Sequence, residues 1–260
     1  MANIRIGVLV DSLGLPAKDG LARASELGFS AAELAARGQI DPRELGRTGR
    51  RHLAKYVQGL GLSLTGLDGD LGGRRFADPA RVQEYIERAR RVLEMAAEVG
   101  APRVSVHTGG LPENPDDPAG ALVLSAVREL ADHADRVGTV LAVRTGGEPT
   151  DRLHGLVRTL GNPSLKVEYD PAALLMAGRD PVESVAAVAD ELVALRARDG
   201  VGRTTGHGRE VALGRGELDY RALLGALAEA GYYGVHTLAR ERSDDPAGDL
   251  LAGKRFLESL

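Results

Sequence analysis

Short apolar, β-branched runs alternate along this chain with longer segments whose apolar residues recur at helical spacing, and this alternation constrains the fold most strongly. Eight such pairs follow one another in 260 residues. The predicted strands are Ile4–Asp11, Ala31–Leu34, Ser63–Leu67, Arg103–His107, Val140–Arg144, Leu165–Asp170, Leu192–Ala197 and Gly234–Leu238. The helices predicted after them cover 17–27, 42–60, 79–99, 116–137, 150–160, 180–190, 217–230 and 245–258. Repeated β/α units of this kind favour a parallel sheet.

Residues that start and stop helices support these boundaries. An Asp-Pro pair, which places a capping carboxylate before a proline at the first helical position, marks four helix starts: Asp41-Pro42, Asp78-Pro79, Asp180-Pro181 and Asp245-Pro246. A glycine stands where six helices are predicted to end, at Gly28, Gly61, Gly100, Gly138, Gly161 and Gly231. Eight such units predict one α/β domain, a (β/α)8 TIM barrel over residues 1–260.

A doubly wound open sheet is the competing fold. Such a sheet usually carries a glycine-rich phosphate loop after its first strand. Here that position reads Val10-Asp11-Ser12-Leu13-Gly14, which contains neither GxGxxG nor GxxxxGKS. The closed barrel is therefore favoured, and its function is expected at the carboxyl ends of the strands.

Composition narrows the classes of partner. A net charge of −4 gives no overall attraction to phosphate polymers, which argues against nucleic acid and membrane surfaces as partners. The absence of cysteine excludes disulfides and thiolate metal sites. The first apolar run is broken by Asp11 and is too short for a signal peptide, and no segment approaches ~18 apolar residues. We expect a cytoplasmic protein that binds a small molecule.

Several segments resemble one family along nearly the whole chain. They are GVLVDSLGLPAKDGLARASELGFSAAEL, VGAPRVSVHTG, YDPAAL, RARDG and EVALGRGELDYRALLGALAEAGYYGVHTL. Together they resemble the xylose isomerase-like barrels, a group that includes sugar-phosphate isomerases and epimerases and inosose dehydratases. The most specific part runs from Val211 to Leu238, where G-x-G-x-x-D leads through a helix to Gly-Tyr-x-Gly before the last strand. Barrels of this family often pair, so a homo-oligomer is possible.

The resemblance implies a divalent metal such as Mn, Mg, Co or Zn. The family holds it with Glu, Asp, His and Glu at the ends of strands five to eight, and the matching positions here are Arg144, Asp170, Arg196 and Ala239. Only Asp170 can bind a metal, because an arginine keeps its proton and cannot ligate a cation. We therefore expect no metal cofactor, and a formal charge of about +1 where the loaded family site has about −1.

Three interpretations of the two arginines stay open. In the first, Arg144 or Arg196 pairs with Asp170 or Glu168 in a purely structural network. In the second, arginines form a pocket for a phosphate, carboxylate or sugar acid: Arg144, Arg196, Arg203 and Arg209. In the third, isomerase activity survives, either metal-free or on a metal relocated to Asp170 and three other side chains: Glu148, His207 and Glu241.

Further residues are candidates for the pocket. The resemblance places His107, at the end of the fourth strand, and Glu33, at the end of the second, close to substrate. The glycine-rich loop after the third strand carries four charged residues: Asp68, Asp70, Arg74 and Arg75. The resemblance implies a loop that covers the ligand, whereas the residues by themselves favour an ordinary solvated loop. His236 is out of phase with the inward-facing series and is predicted to point at the helical layer.

The sequence therefore predicts a TIM barrel of this family whose metal centre is dismantled and whose mouth binds a small anionic or polyol ligand. The ligand-binding residues predicted for it are Arg144, Asp170, Arg196, His107, Glu33 and Arg209. An active isomerase or epimerase with a relocated or absent metal, and a structural or interaction barrel, are the alternatives. The fold alone does not decide between them.

Overall fold

The computed structural model, which describes residues 4–69, 76–111, 117–202, 204 and 207–260, is a closed barrel of parallel strands. The barrel strands are β1 (Arg5–Leu9), β2 (Ala31–Ala35), β3 (Ser63–Asp68), β4 (Arg103–Val106), β5 (Val140–Arg144), β6 (Leu165–Tyr169), β7 (Leu192–Ala197) and β10 (Val235–Leu238). They follow one another around the barrel in chain order, and β10 closes it against β1. The predicted TIM barrel is confirmed.

A short antiparallel hairpin interrupts this pattern after β7. Its strands are β8 (Asp199–Val201) and β9 (Arg209–Val211), which pair with each other and not with the barrel. The hairpin lies against the helix that follows β6, where the Gly208 amide donates to the Met176 carbonyl at 3.0 Å. Glu210 in β9 accepts from two arginines, Arg198 after β7 and Arg240 after β10.

Helices cover the outside of the barrel. They are α1 (Ala17–Glu26), α2 (Arg47–Gly59), α3 (Val82–Val99), α4 (Pro118–Val137), α5 (Thr150–Leu160), α6 (Pro171–Met176), α7 (Tyr220–Glu229) and α8 (Pro246–Glu258). The helix predicted over 180–190 is a 3-10 helix, Glu183–Glu191, and α6 was not predicted. Among the described helices, none is both long and apolar enough to cross a membrane.

The helix starts predicted at Asp-Pro pairs are only partly confirmed. Asp245 caps α8 as predicted, accepting the Gly248 amide at 3.0 Å. The start predicted at Asp41 is wrong, because its carboxylate binds the Arg43 and Arg88 guanidiniums and α2 begins only at Arg47. Asp170 caps α6 before Pro171, and this capping role competes with any role as a metal ligand.

The glycines predicted to end helices do so. All six have φ between 60° and 75°, the left-handed region that a side chain disfavours: Gly28, Gly61, Gly100, Gly138, Gly161 and Gly231. Each turns the chain out of a helix toward the next strand. The loops at the opposite end, after the strands, are thereby left to carry the site.

His236 points at the helical layer, as predicted. Its ring lies 3.0 Å from the hydroxyl of Tyr220 in α7, with Nδ1 as the contacting atom, and the residue is buried. Burial lowers the pKa of His236 to about 4, below the value of 6.5 for an exposed histidine.

This histidine predicts a loss of stability in mild acid. Between pH 6.5 and 4 the unfolded chain binds a proton that the folded chain does not, so the free energy of unfolding falls as pH falls, by about 3 kcal/mol in all. Urea unfolding at intervals from pH 7 to 4.5 measures it. His236→Phe should reduce the dependence of the free energy of unfolding on pH by the amount that corresponds to about one proton. His52→Phe, on the exposed face of α2, should leave that dependence unchanged. Equal pH dependence in all three proteins would contradict the role assigned to His236.

Candidate functional site

A cluster of buried charges fills the barrel interior near the carboxyl ends of the strands. It contains one residue each from β2 to β7: Glu33, Asp68, Arg103, Arg144, Glu168 and Arg196. We call these six residues the floor network. Three carboxylates face three guanidiniums, so the network is balanced in formal charge.

Arg196 is the centre of the floor network. Its Nη2 donates to Glu33 Oε1 at 2.7 Å, Asp68 Oδ2 at 3.2 Å and Glu168 Oε1 at 3.3 Å. One guanidinium nitrogen thus lies among carboxylates from three different strands. A cationic group occupies this position and satisfies carboxylates that would otherwise be buried without compensation.

Two more arginines complete the network. Arg144 donates from Nε to Glu168 Oε2 at 2.6 Å and pairs through Nη2 with Asp68 Oδ2 at 3.1 Å. Arg103 binds Glu33 Oε2 at 2.5 Å. The expected pairing of Arg144 and Arg196 with Glu168 is therefore present. Arg103 was missed, since it stands at the start of its strand and nothing in the local sequence points it inward.

The floor network shifts the pKa values of its two buried glutamates in opposite directions. Burial by itself raises the pKa of Glu168, but the charges of Arg144 and Arg196 outweigh burial and lower the pKa to about 2. Burial dominates for Glu33 and raises its pKa despite the nearby Arg196. Glu168 is therefore a poor proton acceptor at neutral pH, and neither carboxylate is exposed to a ligand.

A second cluster lies one layer nearer the mouth and is centred on Arg198. All three of its nitrogens are engaged, with Nη1 2.8 Å from Asp170, Nε 2.9 Å from Glu210 and Nη2 3.0 Å from Glu241. Asp170 was expected to pair with Arg144 or Arg196. It pairs with Arg198 because both side chains lie two residues beyond Glu168 and Arg196 on the same face of their strands.

The hairpin supplies the other partner in this cluster. Glu210 in β9 accepts from Arg198 at 2.9 Å and from Arg240 at 2.7 Å, and Arg240 also binds Asp249 in α8 at 2.9 Å. One carboxylate thus joins the residues that follow β7 and β10. The hairpin fixes both arginines at the barrel mouth.

The loop after the hairpin is organised by Asp199, which is buried. Its Oδ1 accepts the Gly200 and Leu218 amides, and its Oδ2 accepts the Gly214 and Gly216 amides, at 2.8 to 3.2 Å. A side chain on Gly216 would place a Cβ 2.1 Å from Asp199 Oδ1. The G-x-G segment of the family resemblance is therefore explained by close approach of backbone to a carboxylate.

A cavity of about 410 Å³ opens above these two clusters, a size that suits a small ligand. It is lined by Leu9, Asp11, Ser12, Arg37, Asp68, Arg144, Arg196, Arg198, Ala239, Arg240, Glu241 and Arg242. Among these described lining residues, six are arginines and three are acids. The cavity lies over the ends of β1, β2, β7 and β10 and is rich in hydrogen-bond donors.

Only some of the residues predicted for ligand binding line the cavity. Arg144 and Arg196 line the cavity, whereas Asp170 and Glu33 are buried outside its lining. His107 directly follows β4 and is not among the lining residues, and its Nδ1 accepts the Gly109 amide at 3.0 Å. Arg209 is exposed on β9 and is also absent from the lining.

Within the described residues, the side chains proposed as replacement metal ligands do not form a group that could hold a metal ion. Glu148 accepts the amide of Gly146 at 3.0 Å, and Glu241 pairs with Arg198. His207 lies in the hairpin loop. Asp70, Arg74, Arg75 and Arg203 lie outside the described residues.

Four lining arginines were not predicted, namely Arg37, Arg198, Arg240 and Arg242. Each follows a predicted strand by one to four residues, in the loops after β2, β7 and β10. In a TIM barrel these loops form the face that carries the site. Their position in the sequence was therefore an available signal.

The residues at the family's metal positions do not fit a divalent ion. Arg144 and Arg196 present guanidiniums, Ala239 has no donor atom, and Asp170 is engaged by Arg198 and by the Ala173 amide. Within the described residues, no group of three or more His, Asp or Glu side chains is arranged to hold a metal.

Comparisons with known proteins agree with this architecture. A family model described as xylose isomerase-like TIM barrel matches residues 21–260. A xylose isomerase domain protein from Planctomyces limnophilus superposes with a TM-score of 0.88 at 24% identity, covering 98% of this chain and 96% of that one. A xylose isomerase-like TIM barrel protein from Mycobacterium smegmatis in complex with magnesium has a TM-score of 0.76 at 19% identity, covering 98% and 95%.

A sugar-modifying enzyme is also similar in fold. An L-ribulose 3-epimerase superposes with a TM-score of 0.78 at 16% identity, covering 98% of this chain and 94% of that one. At such identities the likeness concerns the fold. No curated protein matches the chain in sequence.

Proposed function

Because the chain belongs to the xylose isomerase-like TIM barrel family, we propose that it is a sugar isomerase/epimerase-like barrel that binds a small anionic or polyol ligand at its C-terminal face without a divalent metal. One observation carries the proposal. Guanidiniums line the 410 Å³ cavity at the strand ends, and two of them stand at family metal-ligand positions. Guanidiniums donate paired hydrogen bonds to carboxylates and phosphates and also bind hydroxyl oxygens.

The charge state of the cavity favours binding over turnover. Isomerisation next to a carbonyl requires a group that takes up and returns a proton. Asp68 is the floor-network carboxylate that lines the cavity, and it already accepts from Arg196 and pairs with Arg144. Stabilisation of its anion by two guanidiniums opposes its use as a base. We therefore assign the cavity to ligand binding in a catalytically impaired homologue.

Metal independence gives a direct test of this proposal. We expect no stoichiometric Mn, Co, Zn or Mg after incubation and dialysis, as measured by elemental analysis. Neither EDTA nor these metals should change the melting temperature, because arginines occupy ligand positions. Saturating anionic or polyol ligand at about 100 Kd should raise it by about 5–10 °C.

Sodium chloride at matched ionic strength is the control, since general screening also affects exposed charges. Stoichiometric metal with a metal-dependent melting temperature would overturn the proposal. It would restore the interpretation of an active enzyme with a relocated metal. Failure of every anion and polyol to bind would instead favour a structural or interaction barrel.

A further inference from the structure

The arginines of the cavity differ in how much of their charge is already compensated. In the floor, Arg144 and Arg196 are buried and face the carboxylates of Glu33, Asp68 and Glu168. Arg198 has a carboxylate at each of its three nitrogens. These three arginines shape the cavity but have little charge left to offer a ligand.

The outer wall of the cavity is different. Arg242 is exposed and has no ion pair within the described part of the chain. Arg37 contacts Asp11 through Nε alone, at 3.2 Å, and its side chain is 61% exposed. Arg240 uses Nε and Nη1 for Asp249 and Glu210. We call Arg37, Arg240 and Arg242 the arginine wall.

The arginine wall is formed by loops that are distant in sequence and adjacent in space. Strands β2 and β10 both pair with β1, so the loops after them flank the carboxyl end of β1. Ser12 follows β1, and its hydroxyl accepts the Arg240 amide at 2.9 Å. An anion above the end of β1 would therefore meet guanidiniums from two sides.

The other residues that line the cavity indicate which chemical groups the rest of the ligand carries. Asp68 and Glu241 supply acceptors for hydroxyl groups, while Leu9 and Ala239 supply short apolar surface. The three lining acids, Asp11, Asp68 and Glu241, lie close to the arginines and oppose a doubly charged group more than a singly charged one. A carboxylate therefore suits this wall better than a phosphate dianion.

We propose that the ligand is a small polyhydroxylated carboxylic acid whose carboxylate binds the arginine wall, with its hydroxylated end over the floor. This inference rests on the proposed function and narrows it. The floor arginines act as structural ions, and the wall arginines select the charge. Recognition thus moves from the positions that the family uses for metal to the loops after β2 and β10.

Calorimetric titration with three probes tests the inference: D-gluconate, D-sorbitol, which lacks the charge, and D-glucose 6-phosphate. We expect gluconate to bind at least about 10-fold more tightly than sorbitol, or by about 1.4 kcal/mol, since only gluconate can accept charge-assisted hydrogen bonds from the wall. Arg242→Gln and Arg37→Gln should each weaken gluconate about 10-fold and leave sorbitol unchanged. The matched control is Arg209→Gln, an exposed arginine outside the cavity, which should bind like the parent protein.

The outcomes separate this inference from the proposed function. Equal affinity for sorbitol and gluconate, tighter binding of the phosphate ester, or full gluconate affinity in both wall variants would overturn the inference while leaving a small-ligand cavity in place. No binding of any probe by the folded parent protein would overturn both. Melting curves of each variant establish that the wall variants are folded.

Discussion

Replacing Arg196 by alanine is expected to lower the free energy of unfolding by about 3–5 kcal/mol, the range for removing one partner of a buried ion network. Arg196 is only 3% exposed, and its Nη2 contacts three carboxylates. Its loss leaves Glu33, Asp68 and Glu168 facing two arginines, so negative charge is buried without compensation. Urea unfolding at pH 8 measures the effect.

Further comparisons test whether the loss of stability in Arg196→Ala arises from uncompensated buried charge. The penalty in Arg196→Ala should be smaller at pH 5 than at pH 8, because burial raises the pKa of Glu33 and a protonated Glu33 no longer adds to the excess of negative charge. Combining Arg196→Ala with Glu33→Gln should recover part of the lost stability. Arg23→Ala, at an exposed pair with Glu26, should change stability by about 0.5 kcal/mol or less. A loss below about 1 kcal/mol in Arg196→Ala would contradict the assigned role.

Replacing Asp199 by alanine is expected to destabilise the protein by about 3 kcal/mol, because four backbone amides lose their acceptor together. The effect should concentrate in the loop that carries Gly214, Gly216 and Leu218. Amide hydrogen exchange measures it locally, through faster exchange at these positions, and urea unfolding measures it globally.

Variants that differ in acceptor number make this prediction specific. Asp199→Asn keeps one of the two oxygens and should lose about half as much stability. Asp219→Ala removes a single capping bond to the Ala222 amide nearby and should cost about 1 kcal/mol. Unchanged exchange at Gly214 and Gly216 in Asp199→Ala would show that the loop is held by other contacts.

Local features of the chain were sufficient to predict most of the fold. The strands at β5 and β7 have the predicted bounds, and the others differ by one or two residues at an end. The helix start predicted at Asp41 was wrong because of a tertiary contact. Asp41 binds Arg88, which lies 47 residues away in the sequence, and does not cap α2. The hairpin and α6 were missed because their segments are short and carry no long periodic signal.

The candidate site was only partly accessible from sequence. The resemblance located Arg144 and Arg196 at the barrel mouth, and the chemistry of arginine excluded both as metal ligands. Neither argument identified Arg103, Arg198 or the arginine wall. Neither showed that Asp170 is committed to Arg198 and to the start of α6.

The sequence by itself determined the eight β/α units, because hydrophobic period, capping residues and left-handed glycines act over a few neighbouring residues. It also determined which chemical groups stand at the strand ends. Only the tertiary structure decided how those groups pair. Glu33 and Arg196 are 163 residues apart in the sequence and meet because the barrel closes. Barrel closure also buries some arginines against carboxylates and leaves the others facing the cavity.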